Sequence, residues 1–130
     1  MTSSAQQPLE IVESFLHSFE VMDFDKALES LSTDVEYTNI PILTVHGHPG
    51  VLEILDPFFA PILENDFQII RKAAAGSVVF LERLDRHRLA DGWRELPVNS
   101  VFEVHEGKIT VWRDYFDLAT AAAIHEGVAS

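Results

Sequence analysis

Asp114 lies in a strand-like segment near the end of the sequence, between two large aromatic residues. Residues 108–117 are rich in β-branched and aromatic side chains, which predicts a strand. Since successive side chains of a strand point to opposite faces, Thr110, Trp112, Asp114 and Phe116 share one face. The opposite face carries Ile109, Val111, Arg113 and Tyr115. A carboxylate between aromatic side chains is poorly hydrated, so Asp114 must be paired, protonated or used in chemistry.

A second carboxylate, Asp85, follows Arg83 by two residues in another predicted strand. The two side chains therefore project in the same direction, about 7 Å apart along the strand. Arg83 is permanently cationic and can contact two carboxylates at once. Two carboxylates that lie close together in an apolar environment tend to share one proton, so one can act as acid and the other as base. Taken alone, an Arg-x-Asp pair is more often an ion pair that holds neighbouring strands.

Tyr37 and Asn39 add two polar groups on one face of a predicted strand over residues 35–40. Leu96 and Val98 belong to a nearly apolar strand face that predicts a pocket wall. If these faces line one concave sheet, a few polar groups converge in an apolar cavity, which is typical of a small-molecule site. Two simpler interpretations stay open: a core tyrosine whose hydroxyl is satisfied, and a turn asparagine placed shortly before Pro41.

The elements that must position these residues begin with three predicted helices. An apolar stripe at helical spacing starts near Pro8, and a second short helix covers residues 25–31 with a polar stop at 32–34. After a loop through residues 46–48, Pro49 or Gly50 opens a third helix that is apolar on nearly every side and therefore mostly buried. Pro57 and Pro61 should kink or break it, and residues 119–123 predict a short helix end.

The second half of the chain predicts consecutive strands joined by tight turns. Turn signals stand at Gly76, at Asp91-Gly92 and at Glu106-Gly107. The strands are expected at residues 66–73, 77–89, 95–105 and 108–117. Helices packed on such a meander predict an α+β domain with a curved, mixed and mostly antiparallel sheet around a pocket. We expect one domain over residues 1–130, with residues 1–7 flexible.

Composition excludes several classes of function. The formal net charge is −12, so nucleic acid and anionic membrane surfaces are not expected partners. Cysteine is absent, which rules out thiolate chemistry and fits a cytoplasmic protein, and no segment predicts a membrane span. His46 and His48 stand two apart without a thiolate or a helical histidine pair, so we expect exposed loop histidines and no metal site. His87 is expected either to support the site or to be exposed on its strand.

Three segments together give the chain a recognisable pattern. Residues 37–41 (YTNIP), 82–85 (ERLD) and 106–118 (EGKITVWRDYFDL) occur in an order that resembles the limonene-1,2-epoxide hydrolase family. The resemblance implies a cone-shaped fold of the cystatin-like or nuclear-transport-factor-2-like kind, and a homodimer. It also implies one-step addition of water to a small apolar epoxide, giving a vicinal diol without a metal or organic cofactor.

The resemblance assigns a role to each predicted polar residue. Asp114 would be the base that deprotonates water, and Tyr37 and Asn39 would hold that water. Asp85 would protonate the epoxide oxygen, while Arg83 would bridge the two aspartates. The substrate pocket would be shaped by Trp112, Phe116, Leu96 and Val98. Two alternatives on the same scaffold are a domain that only binds a small apolar ligand and an isomerase or cyclase that needs a single acid or base.

Overall fold

A computed structural model of the protein describes residues 6–125. The helices are α1 (Gln6–Glu20), α2 (Phe24–Glu29), α3 (Gly47–Phe59) and α4 (Leu118–Ala123). The strands are β1 (Leu31–Ile40), β2 (Leu43–His46), β3 (Glu64–Ala75), β4 (Val78–Leu89), β5 (Gly92–His105) and β6 (Lys108–Tyr115). Of the segment expected to be flexible, residues 1–5 lie outside the described part, whereas Gln6 and Gln7 begin α1.

The six strands form one open, mixed sheet in the order β2-β1-β6-β5-β4-β3. Strands β3 to β6 make an antiparallel meander, as their tight turns predict. Strand β1 pairs in parallel with β6 and antiparallel with β2. The predicted α+β class and mixed, mostly antiparallel sheet are therefore confirmed.

The predicted strands of the second half agree with the structure to within three residues. Turn glycines and alternating apolar residues predicted these strands, and both patterns have a direct structural cause. Gly76 and Gly107 have φ angles of +59° and +78°, which other residues rarely adopt, and each ends a strand. Side chains of β4 and β5 alternate between buried and less buried positions through most of their lengths. One detail differs: a bulge beside Thr110 shifts the register between β5 and β6, so Ile109 is buried instead of facing away from the core.

The first half departs from prediction around β1. The second helix ends at Glu29, and the residues predicted as a polar stop belong to β1, which begins at Leu31. Pairing with β6 outweighs the polar sequence here, since Leu31 lies opposite Ile109 and the amide of Ile109 donates to the carbonyl of Ser30 at 2.8 Å. Strand β2 is absent from the prediction because its side chains are mostly exposed and carry no apolar alternation.

Helix α3 begins earlier than predicted, and one of its first residues has a structural role. Gly47 has a φ of +74°, and a Cβ there would lie 3.2 Å from the carbonyl oxygen of Thr33. His48 is half-buried, and its Nε2 donates to the carbonyl of Leu31 at 3.0 Å, so the expectation of an exposed loop histidine is wrong for this residue. Pro57 lies inside the helix without ending it, whereas the helix ends at Phe59, two residues before Pro61.

The core lies between the helices and one face of the sheet. Phe15 of α1 is fully buried and makes edge contacts with Phe102 of β5 and Trp112 of β6, at centroid distances of 6.1 and 4.9 Å. Phe19 stacks on Phe59 of α3 at 6.0 Å. Burying each such side chain contributes about 1.5–3 kcal/mol. None of the helices within residues 6–125 is long and apolar enough to cross a membrane.

Candidate active site

The nine residues predicted for the site all line one cavity of about 380 Å³. That volume is within the range of small-molecule sites, roughly 300–1,000 Å³. Side chains from α1, α3 and α4 complete its apolar lining. The polar residues of the lining are Tyr37, Asn39, Arg83, Asp85, His87 and Asp114.

Strand register explains why distant parts of the sequence meet here. In the parallel ladder, Tyr37 lies opposite Trp112 and Asn39 opposite Asp114. On the other side of β6, Ser100 lies opposite Asp114. Residues at the same level of adjacent strands point to the same face of a sheet. The alternation of β1, β5 and β6 therefore directs these side chains into the same cavity.

Arg83 connects the two aspartates. Its Nε and Nη2 donate to the two carboxylate oxygens of Asp85 at 3.1 and 2.9 Å, and its Nη1 donates to the Ser100 hydroxyl at 2.6 Å. The same Nη1 lies 3.6 Å from Oδ1 of Asp114, an electrostatic contact beyond hydrogen-bond length. The Arg83–Asp85 pair lies within β4, so it does not hold neighbouring strands together. Arg83 instead reaches β5 and β6.

Asp114 is buried, and its environment favours the proton-bound form more than water does. Burial raises the pKa of its carboxyl above the usual 3.8, and the charge of Asp85 adds to this effect. The charge of Arg83 opposes the shift, as do hydrogen bonds from Trp112 and Ser100. The Trp112 indole donates to Asp114 Oδ1 at 2.8 Å. Trp112 therefore orients the carboxyl as well as forming the wall.

Arg83 remains charged although it is only 3% exposed. Burial lowers the pKa of its guanidinium, but the charges of Asp85 and Asp114 outweigh burial and hold the pKa above its ordinary value. Because Arg83 contacts both carboxyl groups, the negative charge has a cationic neighbour on either aspartate.

Tyr37 and Asn39 border the same end of the cavity as Asp114. The Tyr37 ring stacks on the Trp112 ring at a centroid distance of 3.8 Å. Burial raises the pKa of the Tyr37 hydroxyl well above its usual 10.0, and the charge of Asp114 adds to that, so the hydroxyl keeps its proton and can donate it in a hydrogen bond. Asn39 does belong to a turn, since its carbonyl accepts from the amide of Ile42 at 2.6 Å, but it also lines the cavity.

Three polar residues around the cavity have contacts that sequence reasoning missed. Ser100 accepts from Arg83, and the available signal was a single hydroxyl on an otherwise apolar strand face. His87 is 2% exposed, so the alternative of an exposed strand histidine is wrong. Its Nδ1 bonds to Oδ1 of Asn65 at 2.7 Å, a contact between β3 and β4 for which the sequence carries no signal.

The remaining candidates do not form a further site within the described chain. No group of three or more His, Asp or Glu side chains among residues 6–125 could hold a metal ion. His46 is exposed, and its Nε2 lies 3.8 Å from Oε1 of Glu36. His48 instead contacts the carbonyl of Leu31, so the two histidines have different partners. Asp117 caps α4 by accepting from the amide of Thr120 at 2.9 Å.

Comparison with known proteins shows which family the chain resembles. Residues 6–124 match the family described as limonene-1,2-epoxide hydrolase catalytic domain. The chain is 33% identical to the epoxide hydrolase EphG of Mycobacterium tuberculosis over 107 residues, which cover 82% of this chain and 71% of the relative. A solved epoxide hydrolase from M. tuberculosis, described as similar to limonene-1,2-epoxide hydrolase, superposes with a TM-score of 0.81 at 30% identity, covering 94% of this chain and 86% of the other.

The fold itself is shared more widely. A protein of unknown function from Burkholderia pseudomallei, described as similar to nuclear transport factor 2, superposes with a TM-score of 0.78 at 22% identity, covering 95% of this chain and 98% of the other. At that identity the likeness concerns the fold alone. Family membership rests on the match over residues 6–124 and on the relatives at 30% identity or more. The chain therefore belongs to the limonene-1,2-epoxide hydrolase family.

Proposed function

We propose that the protein adds water to a cyclic or terpene-type epoxide and releases a vicinal diol. The observation that carries the proposal is the contact of one buried arginine, Arg83, with two carboxyl groups in a mostly apolar cavity. A site that only binds an apolar ligand has no need of this arrangement. Opening an epoxide, by contrast, needs a base for the water and an acid for the departing oxygen.

Asp114 is the base in this proposal. It removes a proton from a water molecule as the water oxygen attacks one epoxide carbon, and Tyr37 and Asn39 hold that water. A base is most effective when its pKa approaches the working pH, and burial moves the pKa of Asp114 upward. The Trp112 indole restricts the carboxyl orientation, which favours a single position of the attacking water.

Asp85 is the acid. It gives its proton to the epoxide oxygen while the bond between that oxygen and the attacked carbon breaks. The water proton ends on Asp114, and the Asp85 proton ends on the new hydroxyl. The two aspartates thus hold one shared proton before and after the reaction, and transfer from Asp114 back to Asp85 restores the starting state. Arg83 neutralises whichever carboxylate is charged.

The substrate is a small apolar epoxide, held by the walls of the cavity. Trp112, Phe116, Leu96 and Val98 contribute apolar surface next to the polar groups. A neutral ligand is not repelled by the net charge of −12. The proposed reaction of the epoxide uses only protein side chains and water, so we propose that it needs no metal or organic cofactor.

We further propose that the protein works as a cytoplasmic homodimer. Exposed apolar side chains, including Phe80 at 45% and Trp93 at 37% exposed, offer surface for a subunit contact. Light scattering on the purified protein tests the assembly, and a monomeric mass at working concentration would contradict it.

Turnover in ¹⁸O-labelled water tests the proposed function. A panel of cyclic and terpene epoxides, beginning with limonene-1,2-epoxide, should give diols that carry one labelled oxygen. Asp114→Asn and Asp85→Asn should each lower kcat by about 10²- to 10⁴-fold. Asp91→Asn makes the same chemical change at an exposed hairpin tip and should retain the activity.

Other outcomes identify the alternatives. Tight binding of apolar ligands without turnover of any epoxide would indicate a ligand-binding domain. Conversion of an epoxide to an isomer without labelled oxygen would indicate an isomerase or cyclase. Folded aspartate variants that keep near-native turnover would contradict the assigned roles.

A further inference from the structure

His87 is the polar residue of the cavity lining that the proposed reaction does not use. It lies on β4, two residues beyond Asp85, and its side chain lines the same cavity. The rings of Phe58, Phe59 and Phe67 surround it at centroid distances of 5.2, 6.1 and 5.8 Å. An imidazole in an apolar wall is removed from water, and this costs free energy unless both of its nitrogens find hydrogen-bond partners.

The contacts of Asn65 determine which nitrogen of His87 carries the proton. The Asn65 amide group donates from Nδ2 to the carbonyl oxygen of Glu20 at 3.4 Å. A carbonyl only accepts, so the amide oxygen must face His87, where Oδ1 lies 2.7 Å from Nδ1. Nδ1 therefore carries the hydrogen, and Nε2 of the neutral ring presents a lone pair.

Nε2 is an acceptor without a protein donor in the described chain. Among residues 6–125, the imidazole of His87 makes one hydrogen bond, from Nδ1 to Asn65. Burial lowers the pKa of the imidazole to about 4, opposed by the charge of Asp85 and assisted by those of His125 and Arg83. The ring is therefore neutral near pH 7 and can only accept at Nε2.

We propose that Nε2 of His87 accepts a hydrogen bond from a hydroxyl group of the substrate, so that the enzyme prefers epoxides that carry an alcohol. This inference rests on the proposed epoxide hydrolysis and narrows its substrate class. Two residues along a strand span about 7 Å, so the hydroxyl lies roughly that far from the epoxide oxygen bound at Asp85. An epoxide bearing a hydroxyl several bonds from its ring fits this spacing.

The test compares two substrates that differ in one hydrogen-bond donor. The first is limonene-1,2-epoxide with a hydroxyl on the methyl carbon of its isopropenyl group, and the second is the methyl ether of that alcohol. The ether has almost the same shape but cannot donate. A net hydrogen bond of ordinary strength makes the ratio of the two kcat/KM values about 2- to 12-fold larger than it would be without the contact.

Two variants isolate the acceptor. His87→Leu keeps the approximate volume but removes both nitrogens, so the alcohol-to-ether ratio should fall by about 2- to 12-fold relative to the wild type. His87→Gln can donate to Asn65 through its amide nitrogen and present its oxygen to the cavity, so it should retain most of the preference. Because each ratio is taken within one protein, a general loss of activity cancels. An unchanged ratio in His87→Leu would overturn the inference.

Binding of unreactive analogues separates this inference from the proposed function. The corresponding alkenes, an alcohol and its methyl ether without the epoxide, are titrated into the wild type by calorimetry. In NMR spectra, the ¹⁵N chemical shift of the unprotonated Nε2 of His87 should change on addition of the alcohol and stay the same with the ether. If no epoxide is hydrolysed but this difference appears, the proposed hydrolysis fails and the hydroxyl site stands. If epoxides are hydrolysed but alcohol and ether behave alike in both assays, the hydroxyl site is wrong.

Discussion

Replacing His87 should remove part of the loss of stability that the protein shows in acid. The folded protein holds the pKa of this imidazole near 4, whereas its usual value is 6.5. As the pH falls, the unfolded chain therefore binds the proton before the folded chain does. The contribution is absent above pH 6.5, grows as the pH falls towards 4, and then levels off.

The size of the effect follows from the two pKa values. A difference of one unit corresponds to about 1.4 kcal/mol, so complete titration destabilises the folded protein by about 3 kcal/mol. Between pH 7 and pH 4.5, most of this change has occurred, about 2–3 kcal/mol. That is a large part of the stability of an ordinary domain.

Urea unfolding at pH 7 and pH 4.5 measures this loss of stability. The free energy of unfolding should fall by about 2–3 kcal/mol less in His87→Gln than in the wild type. Glutamine can keep the hydrogen bond to Asn65, and any loss of stability that is independent of pH cancels in the comparison. His46→Gln removes an exposed imidazole and is the matched control. Equal losses in His87→Gln and the wild type would refute the conclusion that His87 is neutral and buried in the folded state.

Four further measurements test the site and the core. The acid limb of kcat/KM should lie above pH 3.8, because burial raises the pKa of Asp114 and the reaction needs its ionised form; a limb at or below that pH would contradict Asp114 as the base. Arg83→Lys replaces a planar fork by a point charge and should lower kcat by about 10²-fold, as measured by initial rates on protein whose circular dichroism is native. Tyr37→Phe removes one proposed donor to the attacking water and should lower kcat about tenfold, and unchanged turnover would remove Tyr37 from the mechanism. Phe15→Ala should lower the free energy of unfolding by about 3–5 kcal/mol in urea titrations, since the side chain is fully buried between aromatic rings.

The half of the fold that depends on local signals could be predicted from sequence. Alternating burial and turn glycines define β4, β5 and β6, and the cavity-facing side of each strand follows from that alternation. Arg83, Asp85 and Asp114 stand out because they are charged residues on these faces. They meet in one cavity because each points to the same face of the sheet. The bulge beside Thr110 does not change the face to which Asp114 points.

The parts that could not be predicted depend on contacts between distant segments. Strand β1 begins at Leu31 because β6 pairs with it, although residues 32–34 have the composition of a turn. The burial of His87 depends on Asn65 and on rings from α3 and β3, none of which is its neighbour in the sequence. The bond from Trp112 to Asp114 joins residues two apart, but it needs a side-chain conformation that composition does not define.

The parallel pairing of β1 with β6 also sets when the site can exist during synthesis. Tyr37 and Trp112 are adjacent in this ladder although about 75 positions separate them in the chain. At about 5–20 residues per second, a ribosome needs about 4–15 seconds to pass from one to the other. During that interval β1 lacks its β6 partner, and a chain interrupted before Lys108 carries Tyr37, Asn39, Arg83 and Asp85 but not Asp114. Such an incomplete chain would contain the acid of the proposed reaction without its base, so the cavity becomes competent only after β6 has been synthesised.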